Sequence, residues 1–340
     1  PETDAPSEVI ELGQVVDPQL IDGAEQDQPL DHRPGLLPVA GLALGESGVT
    51  GGSSIDLAPD PAGVTDDLAA KFPHLAALPA LKIADADLAL VADILKGQFA
   101  IAAYEGGALV DATGLQIPGV LDDLYTYGGE LGVGWKANAP VLRLWAPTAQ
   151  SVKLHLFDDA NPATTATVLP LELAPASGVW TIEGKPAWKG KYYLYEVVVF
   201  APTTGKIETN LVTDPYSFSL SANSRRSQIV SLDDAALAPA GWASLAKPAL
   251  VQPEDISIYE LHVRDFSAND ATVPDALKGT FKAFTLPESN GVKHLQALEA
   301  AGLTHLHLLP TFDIATINEN RAEWQAPDPA ALATYPADSE

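Results

Sequence analysis

Residues 141–159 read VLRLWAPTAQSVKLHLFDD, and the way this stretch is read decides the fold. Within 151–157 the residues alternate: Val152, Leu154 and Leu156 fall on one face, Lys153, His155 and Phe157 on the other. Successive side chains of an extended chain point to opposite sides, so a period of two marks a strand with one buried face. LRLWAP (142–147) just upstream is a second strand, stopped by Pro147, which brings no N–H to a ladder. GVWTIEG follows at 178–184. KYYLYEVVVF at 191–200 is a longer strand of aromatic and β-branched residues, running into the turn TTGK at 203–206. Short strands punctuated by Pro and Gly predict an antiparallel β-sandwich over 131–235.

Outward from this block the text changes character twice. Residues 1–65, rich in Asp, Glu, Gly and Pro, read as an acidic, partly irregular leader with a few strands. Residues 66–130 read as a small mixed domain with a short helical phrase and a hairpin about EGG (105–107). Residues 236–255 are Pro- and Ala-rich and read as a linker. Beyond them, ISIYELHVRDF (256–266) predicts a mostly buried strand. SNGVKHLQALEAAG (289–302) predicts an amphipathic helix with Val292, Leu295, Leu298 and Ala301 on one stripe, Ser289 or Asn290 as cap and Gly302 as stop. LTHLHLLP (303–310) is a second strand. Strand, helix and strand in this order make a βαβ unit with a parallel pair. Two strands cannot complete a parallel fold, so 256–340 is expected to be the start of a larger domain, cut short.

Composition narrows the function. At 340 residues the chain has room for more than one domain, and 46% hydrophobic residues suit packed cores. A net charge of −26 disfavours nucleic acid and anionic lipid as partners, while a neutral ligand such as a glycan is compatible with it. The absence of cysteine rules out disulfides, thiolate metal ligation and a thiol nucleophile. No stretch nears the roughly 18 apolar residues that cross a bilayer.

Several constellations are candidates for chemistry. His305 and His307 share a strand face, and His262 on the neighbouring strand could join them as a metal site that activates water. The alternative is that Glu260, His262, Arg264, Asp265, His305 and His307 are framework positions, with Arg264 paired to Asp265 or Glu260. Asp313, Asn318 and Glu319 lie in an acidic run (312–323) that reads as a solvated loop, a cleft lining or a calcium site. Trp145, Trp180 and Trp188 are candidates for a sugar-stacking platform, or else core residues of the sandwich. There is no Gly-rich phosphate loop, no G-x-S-x-G and no H-E-x-x-H.

YELHVRDFS (259–267) and GLTHLHLLPTFDIATINE (302–319) resemble the start of the catalytic (β/α)8 barrel in pullulanases and limit dextrinases, the debranching enzymes of glycoside hydrolase family 13. VLRLWAPTAQSVKLHLFDD resembles the opening of their family 48 carbohydrate-binding module. VTDPYSFSLSANSRRSQIVSLDD (212–234) is similar to the segment joining that module to the barrel, and DATGLQIPGVLDDLYTY (111–127) to the domain before it.

The resemblance implies hydrolysis of α-1,6 linkages in α-glucans such as pullulan, limit dextrin, starch or glycogen, with retention. That chemistry needs two carboxyl groups about 5–5.5 Å apart. In the family these groups, with a third Asp, come from the fourth, fifth and seventh barrel strands, expected beyond Glu340. No catalytic residue is therefore assigned within this chain, which is expected to be inactive without the remainder of the catalytic domain. No metal sits at the family's second strand, which makes His305 and His307 framework positions. No cofactor is required for the chemistry, and a structural calcium is compatible with the family without a ligand set assigned. Two other functions stay open: a non-catalytic α-glucan-binding module, and a hydrolase with a three-histidine metal site. Secretion or surface attachment fits the acidic leader, with an intracellular setting left open.

Overall fold

The structure, a computed structural model, describes residues 31–32, 35–36, 40–45, 48–250, 252–312, 317–325 and 328–336. It divides into two units that meet between Asp233 and Asp234.

The first unit begins with a small domain of short strands: β1 (Asp31–His32), β2 (Gly35–Leu36), β3 (Ala43–Gly45), β4 (Gly48–Thr50), β5 (Ser53–Ser54), β6 (Leu57–Asp60), β7 (Ala80–Ile83), β8 (Phe99–Glu105) and β9 (Ala108–Thr113). The hairpin expected about EGG is present as β8 and β9. Strand β8 also pairs with β1 and β2, β2 with β5, and β6 with β7. A division at residue 65 would cut through these ladders, because strands on either side of it satisfy each other's backbone groups. Helix α1 (Asp66–Lys71) is capped by the Thr65 hydroxyl, which accepts from the Leu68 amide at 3.4 Å. The helical phrase at 85–94 is a 3-10 turn running into α2 (Val91–Ile94), and α3 (Pro118–Leu124) starts on a proline. Ile83, Val91, Leu95, Val120 and Tyr125 form the core of this domain.

The predicted sandwich is present as two antiparallel sheets. One has the order β10 (Gly132–Lys136), β11 (Ala139–Trp145), β15 (Val179–Glu183), β14 (Glu172–Ala174). The other has the order β13 (Thr167–Pro170), β12 (Ser151–Phe157), β16 (Tyr192–Ala201), β17 (Lys206–Val212), with β18 (Ser227–Gln228) also on β16. Leu154 lies opposite Tyr195 and Leu156 opposite Tyr193, so the inward faces of β12 and β16 meet in register. Both tyrosines and Leu142, Val152, Leu154 and Ile229 are almost fully buried in one core. One part of the alternation departs from expectation. Phe157 belongs to the outward face, yet it is 7% exposed, because a side chain from far along the chain covers it.

In the second unit β19 (Ile258–His262) and β20 (His305–Leu309) pair in parallel, with Glu260 opposite His307. Between them runs α4 (Asn290–Ala300), capped by the Ser289 hydroxyl on the Val292 amide. Gly302 (φ +105°) closes it: the Gly302 amide reaches the Glu299 carbonyl and the Leu303 amide the Leu298 carbonyl. Phe266 and Phe284 stack at 4.1 Å in the connection. The 256–266 strand was expected to be mostly buried, and it is not: Ile258 is 65% exposed. Its ladder partner among the described residues is β20, and burying a parallel strand takes layers on both faces. Arg264 and Asp265 lie in the turn after β19 rather than on it. Among the described residues no helix is long and apolar enough to cross a membrane.

Candidate functional site

The outer face of the sheet containing β12 and β16 carries a concentration of polar side chains above an apolar floor. Lys153 and Glu196 stand directly opposite across β12 and β16. Glu196 accepts from Lys153 Nζ on Oε1 and from His155 Nε2 on Oε2, each at 2.7 Å. The hydrogen bond from Lys153, seconded by that from His155, holds the Glu196 carboxyl below the usual carboxylate range.

Next to them, at the end of β12, the ring of Phe157 is covered by the guanidinium of Arg226, whose Cζ lies 3.6 Å from the ring centroid. Arg226 is 7% exposed. Its Nη1 donates to the carbonyls of Asp159 (2.8 Å) and Asn161 (3.0 Å), its Nη2 to those of Thr164 (3.3 Å) and Pro162 (3.5 Å). The loop around it folds on its own side chains as well. Asp159 Oδ1 accepts from the Asn161 amide and the Thr164 hydroxyl, and Asn161 Oδ1 from the Ala163 amide. The Thr164 hydroxyl is the main cause that keeps the Asp159 carboxyl below its usual range.

Between this loop and the sheet lies an open groove of about 510 Å³. Val168, Leu194 and Leu211 give it an apolar floor, while His155, Thr164 and Arg225 supply polar groups. Such a lining suits a ligand with both C–H faces and hydroxyl groups. Among the described residues no carboxylate lines it, in a chain with 45 acidic residues against 19 basic ones.

The tryptophans expected as a stacking platform do not form one. Trp180 and Trp188 are 7% and 8% exposed and belong to the inter-sheet core. The Trp180 indole donates to the Ala146 carbonyl at 3.0 Å. Trp145, next to Trp180's cross-strand partner Leu144, falls on the opposite face of the sheet, packs against the core of the small domain, and donates to the Tyr125 carbonyl at 2.9 Å. Large aromatic surfaces are more stable packed than in water, and the indole N–H groups of Trp180 and Trp145 find carbonyls there. Asp313 lies outside the described residues. The side-chain amides of Asn318 and Asn320 both donate to Glu323.

The histidines of the parallel pair do not converge. His307 Nδ1 bonds Glu260 Oε2 at 2.8 Å, His305 Nδ1 bonds the Thr304 hydroxyl at 2.9 Å, and His262 Nδ1 accepts from the Arg264 amide at 3.1 Å. Arg264 pairs with Asp265 through Nε at 2.8 Å, and both side chains are exposed. Among the described residues no group of three His, Asp or Glu side chains is arranged to hold a metal ion. The three-histidine metal site expected as an alternative is therefore not formed, since the three rings are not brought together as one ligand set.

Two groups escaped the sequence reading. Asp214 is 4% exposed within the sandwich; its Oδ2 accepts from the hydroxyls of Tyr193 (2.7 Å) and Tyr195 (3.5 Å), and its Oδ1 from the Tyr216 amide (2.8 Å). Burial pushes this carboxyl up, while the hydrogen bonds, Tyr193's first, hold it back. Arg226 is the other. A pair of arginines in a strongly acidic chain was the signal that could have marked it.

Comparison with known proteins agrees with this architecture. Residues 35–123 match the Pullulanase N2 domain, and residues 130–217 match carbohydrate-binding module 48, the isoamylase N-terminal domain. The chain is 44% identical to chloroplastic pullulanase 1 of Arabidopsis thaliana over 88% of its own length and 31% of that protein's. It is 41% identical to a pullulanase of Klebsiella pneumoniae over 76% of its length and 24% of that protein's. The crystal structure of the maltotriose complex of PulA from Klebsiella pneumoniae superimposes with a TM-score of 0.79 at 37% identity, covering 87% of this chain and 32% of that one. The chain thus spans less than a third of the length of these relatives. With an N2 domain, a module of family 48 and this kinship along most of its length, the chain belongs to the pullulanase family, whose N-terminal part it represents.

Proposed function

We propose that this chain is the N-terminal part of an enzyme that hydrolyses α-1,6 linkages of α-glucans with retention, its catalytic carboxylates being supplied by the remainder of a (β/α)8 barrel. The observation that carries this reading is the order of parts: N2 domain, family 48 module, then a parallel strand pair joined through α4. The parallel pair is read as the first two barrel strands. On this reading Glu260 and His307 brace the strands, and a retaining pair of carboxyls about 5–5.5 Å apart lies outside the 340 residues. We place the enzyme outside the cell or on its surface. The test is a pullulan assay of the chain alone and of the full-length protein that contains it. Activity is expected from the longer protein, with the α-anomer released first by NMR. Hydrolysis by the 340 residues alone, or release of the β-anomer, would overturn the proposal.

The groove favours a second, compatible role: holding an α-glucan beside the catalytic domain. Its apolar floor and polar rim fit a pyranose chain, and the related PulA has been crystallised with maltotriose. Titration with maltoheptaose should give saturable binding that Leu211→Glu, placed on the exposed floor, abolishes. Undiminished binding by that variant would remove the groove from consideration.

A further inference from the structure

We propose that Arg226 is a positioning residue for the groove: a guanidinium that occupies the place of a bound cation and holds the loop 158–166 as a preformed wall for the ligand. The inference rests on the second reading above for the identity of that ligand, and on the geometry of Arg226 for everything else.

The loop DDANPATTA (158–166) contributes no strand and has no hydrophobic anchor of size. What organises it is a ring of inward-facing carbonyls, those of Asp159, Asn161, Pro162 and Thr164. Carbonyls converging with Asp and Asn in a short loop are the usual surroundings of a hard cation. Here the centre is filled by Arg226, reaching in from residues that follow β17 and lie next to β18. Its planar fork can serve several oxygens at once, and its flat face rests on Phe157. A lysine has neither the fork nor the face. The guanidinium is nearly fully buried and its hydrogen bonds go to protein carbonyls, so what it shows to the groove is a small remaining part of its surface. Its neighbour Arg225 is exposed on the groove.

The two arginines of this dipeptide differ in what they do: Arg226, though part of the lining, is engaged in building the wall, while Arg225 stands exposed on the groove. A wall ordered beforehand spares the ligand the entropic cost of ordering it on binding. Without Arg226 the four carbonyls face each other across an empty centre, and the loop must open.

The experiment compares wild type, Arg226→Lys and Arg226→Ala by amide hydrogen exchange and by maltoheptaose titration. Arg226→Ala should speed exchange at 159–166, leave β12 and β16 protected, and weaken maltoheptaose binding by roughly tenfold or more, about 1.4 kcal/mol. Arg226→Lys should behave like the alanine variant. Guanidinium chloride at low millimolar concentration should restore both readouts in Arg226→Ala, and sodium chloride at equal ionic strength should not. A protein that merely lost stability would not be rescued in this way. Unchanged exchange at 159–166, full rescue by sodium chloride, or faster exchange with unaltered affinity would each overturn the proposal. Wild-type protein that fails to bind maltoheptaose would overturn the groove's role in glucan binding as well. The exchange data would then still say whether Arg226 clamps the loop.

Discussion

Replacing Tyr193 with Phe removes one hydroxyl from the sandwich and leaves its shape intact. That hydroxyl donates to Asp214 Oδ2 at 2.7 Å, inside a protein region where Asp214 is 4% exposed and Tyr193 fully buried. A hydrogen bond to a charged acceptor contributes about 1.5–3 kcal/mol, and no cavity follows because Phe fills the same space. For a cooperative unit of roughly 150–250 residues a loss near 2 kcal/mol lowers Tm by about 4–8 °C. Tyr195→Phe is the internal control. Its contact of 3.5 Å lies at the limit of hydrogen bonding, so it should lose less than about 1 kcal/mol.

The pH dependence carries a second check. Burial raises the Asp214 carboxyl above its unfolded value, so the folded state binds the proton more tightly than the unfolded chain. Stability linked to this group is therefore greatest at low pH and declines as pH rises through the raised folded value. Tyr193 is the leading influence that holds that value down, and removing it pushes the carboxyl further up. The loss in Tyr193→Phe should then be larger near about pH 7 than near about pH 4, measured by urea unfolding at both. Equal losses at the two pH values, or a loss under about 0.5 kcal/mol at neutral pH, would refute the account of Asp214 as a charged group held by Tyr193.

Other outcomes follow from the same structure. Trp180→Ala and Trp188→Ala should each destabilise by about 3–5 kcal/mol in denaturant melts, in keeping with core positions rather than ligand contacts. Gly178→Ala should lose about 1–3 kcal/mol, because its φ is +66° and a Cβ would come within 2.6 Å of Pro147 Cβ. Glu196→Gln should lose less than about 1 kcal/mol at neutral pH, since Lys153 is half exposed. Its carboxyl is held low by Lys153, so that contribution is present above the unfolded carboxylate value and fades as pH falls through the folded one. Dialysis against zinc followed by elemental analysis should leave no stoichiometric metal on His262, His305 and His307.

The sandwich was legible because its signal is local and repeated. Val152, Leu154 and Leu156 alternate with polar residues, and an aromatic strand of matching period lies in the same block, so pairing and inward face follow together. Helix α4 was legible for the same reason, with cap, stripe and Gly302 all within one short segment. What escaped depends on residues far apart in sequence. Phe157 looked outward by parity, and its cover comes from Arg226. The tryptophans carry no local mark that separates core from platform, and burial depends on which sheet faces which. Asp214 has an ordinary turn context in VTDPY, and only the fold brings two tyrosine hydroxyls to it.

The Trp145 indole has a consequence for where the molecule can be divided. It belongs by sequence to a strand of the sandwich, yet it packs into the small domain and donates to the carbonyl of Tyr125. Nearby, the Gln150 side chain donates to the Lys96 carbonyl, so the seam is tied at more than one place. A chain cut after Glu130 would keep every strand of the sandwich and still lose the wall against which Trp145 rests. The freed sandwich would carry a bare indole and a patch of exposed aliphatic surface where its neighbour had been. Transplanted alone onto another protein, it should arrive sticky, and it would need the small domain as its lid to travel well.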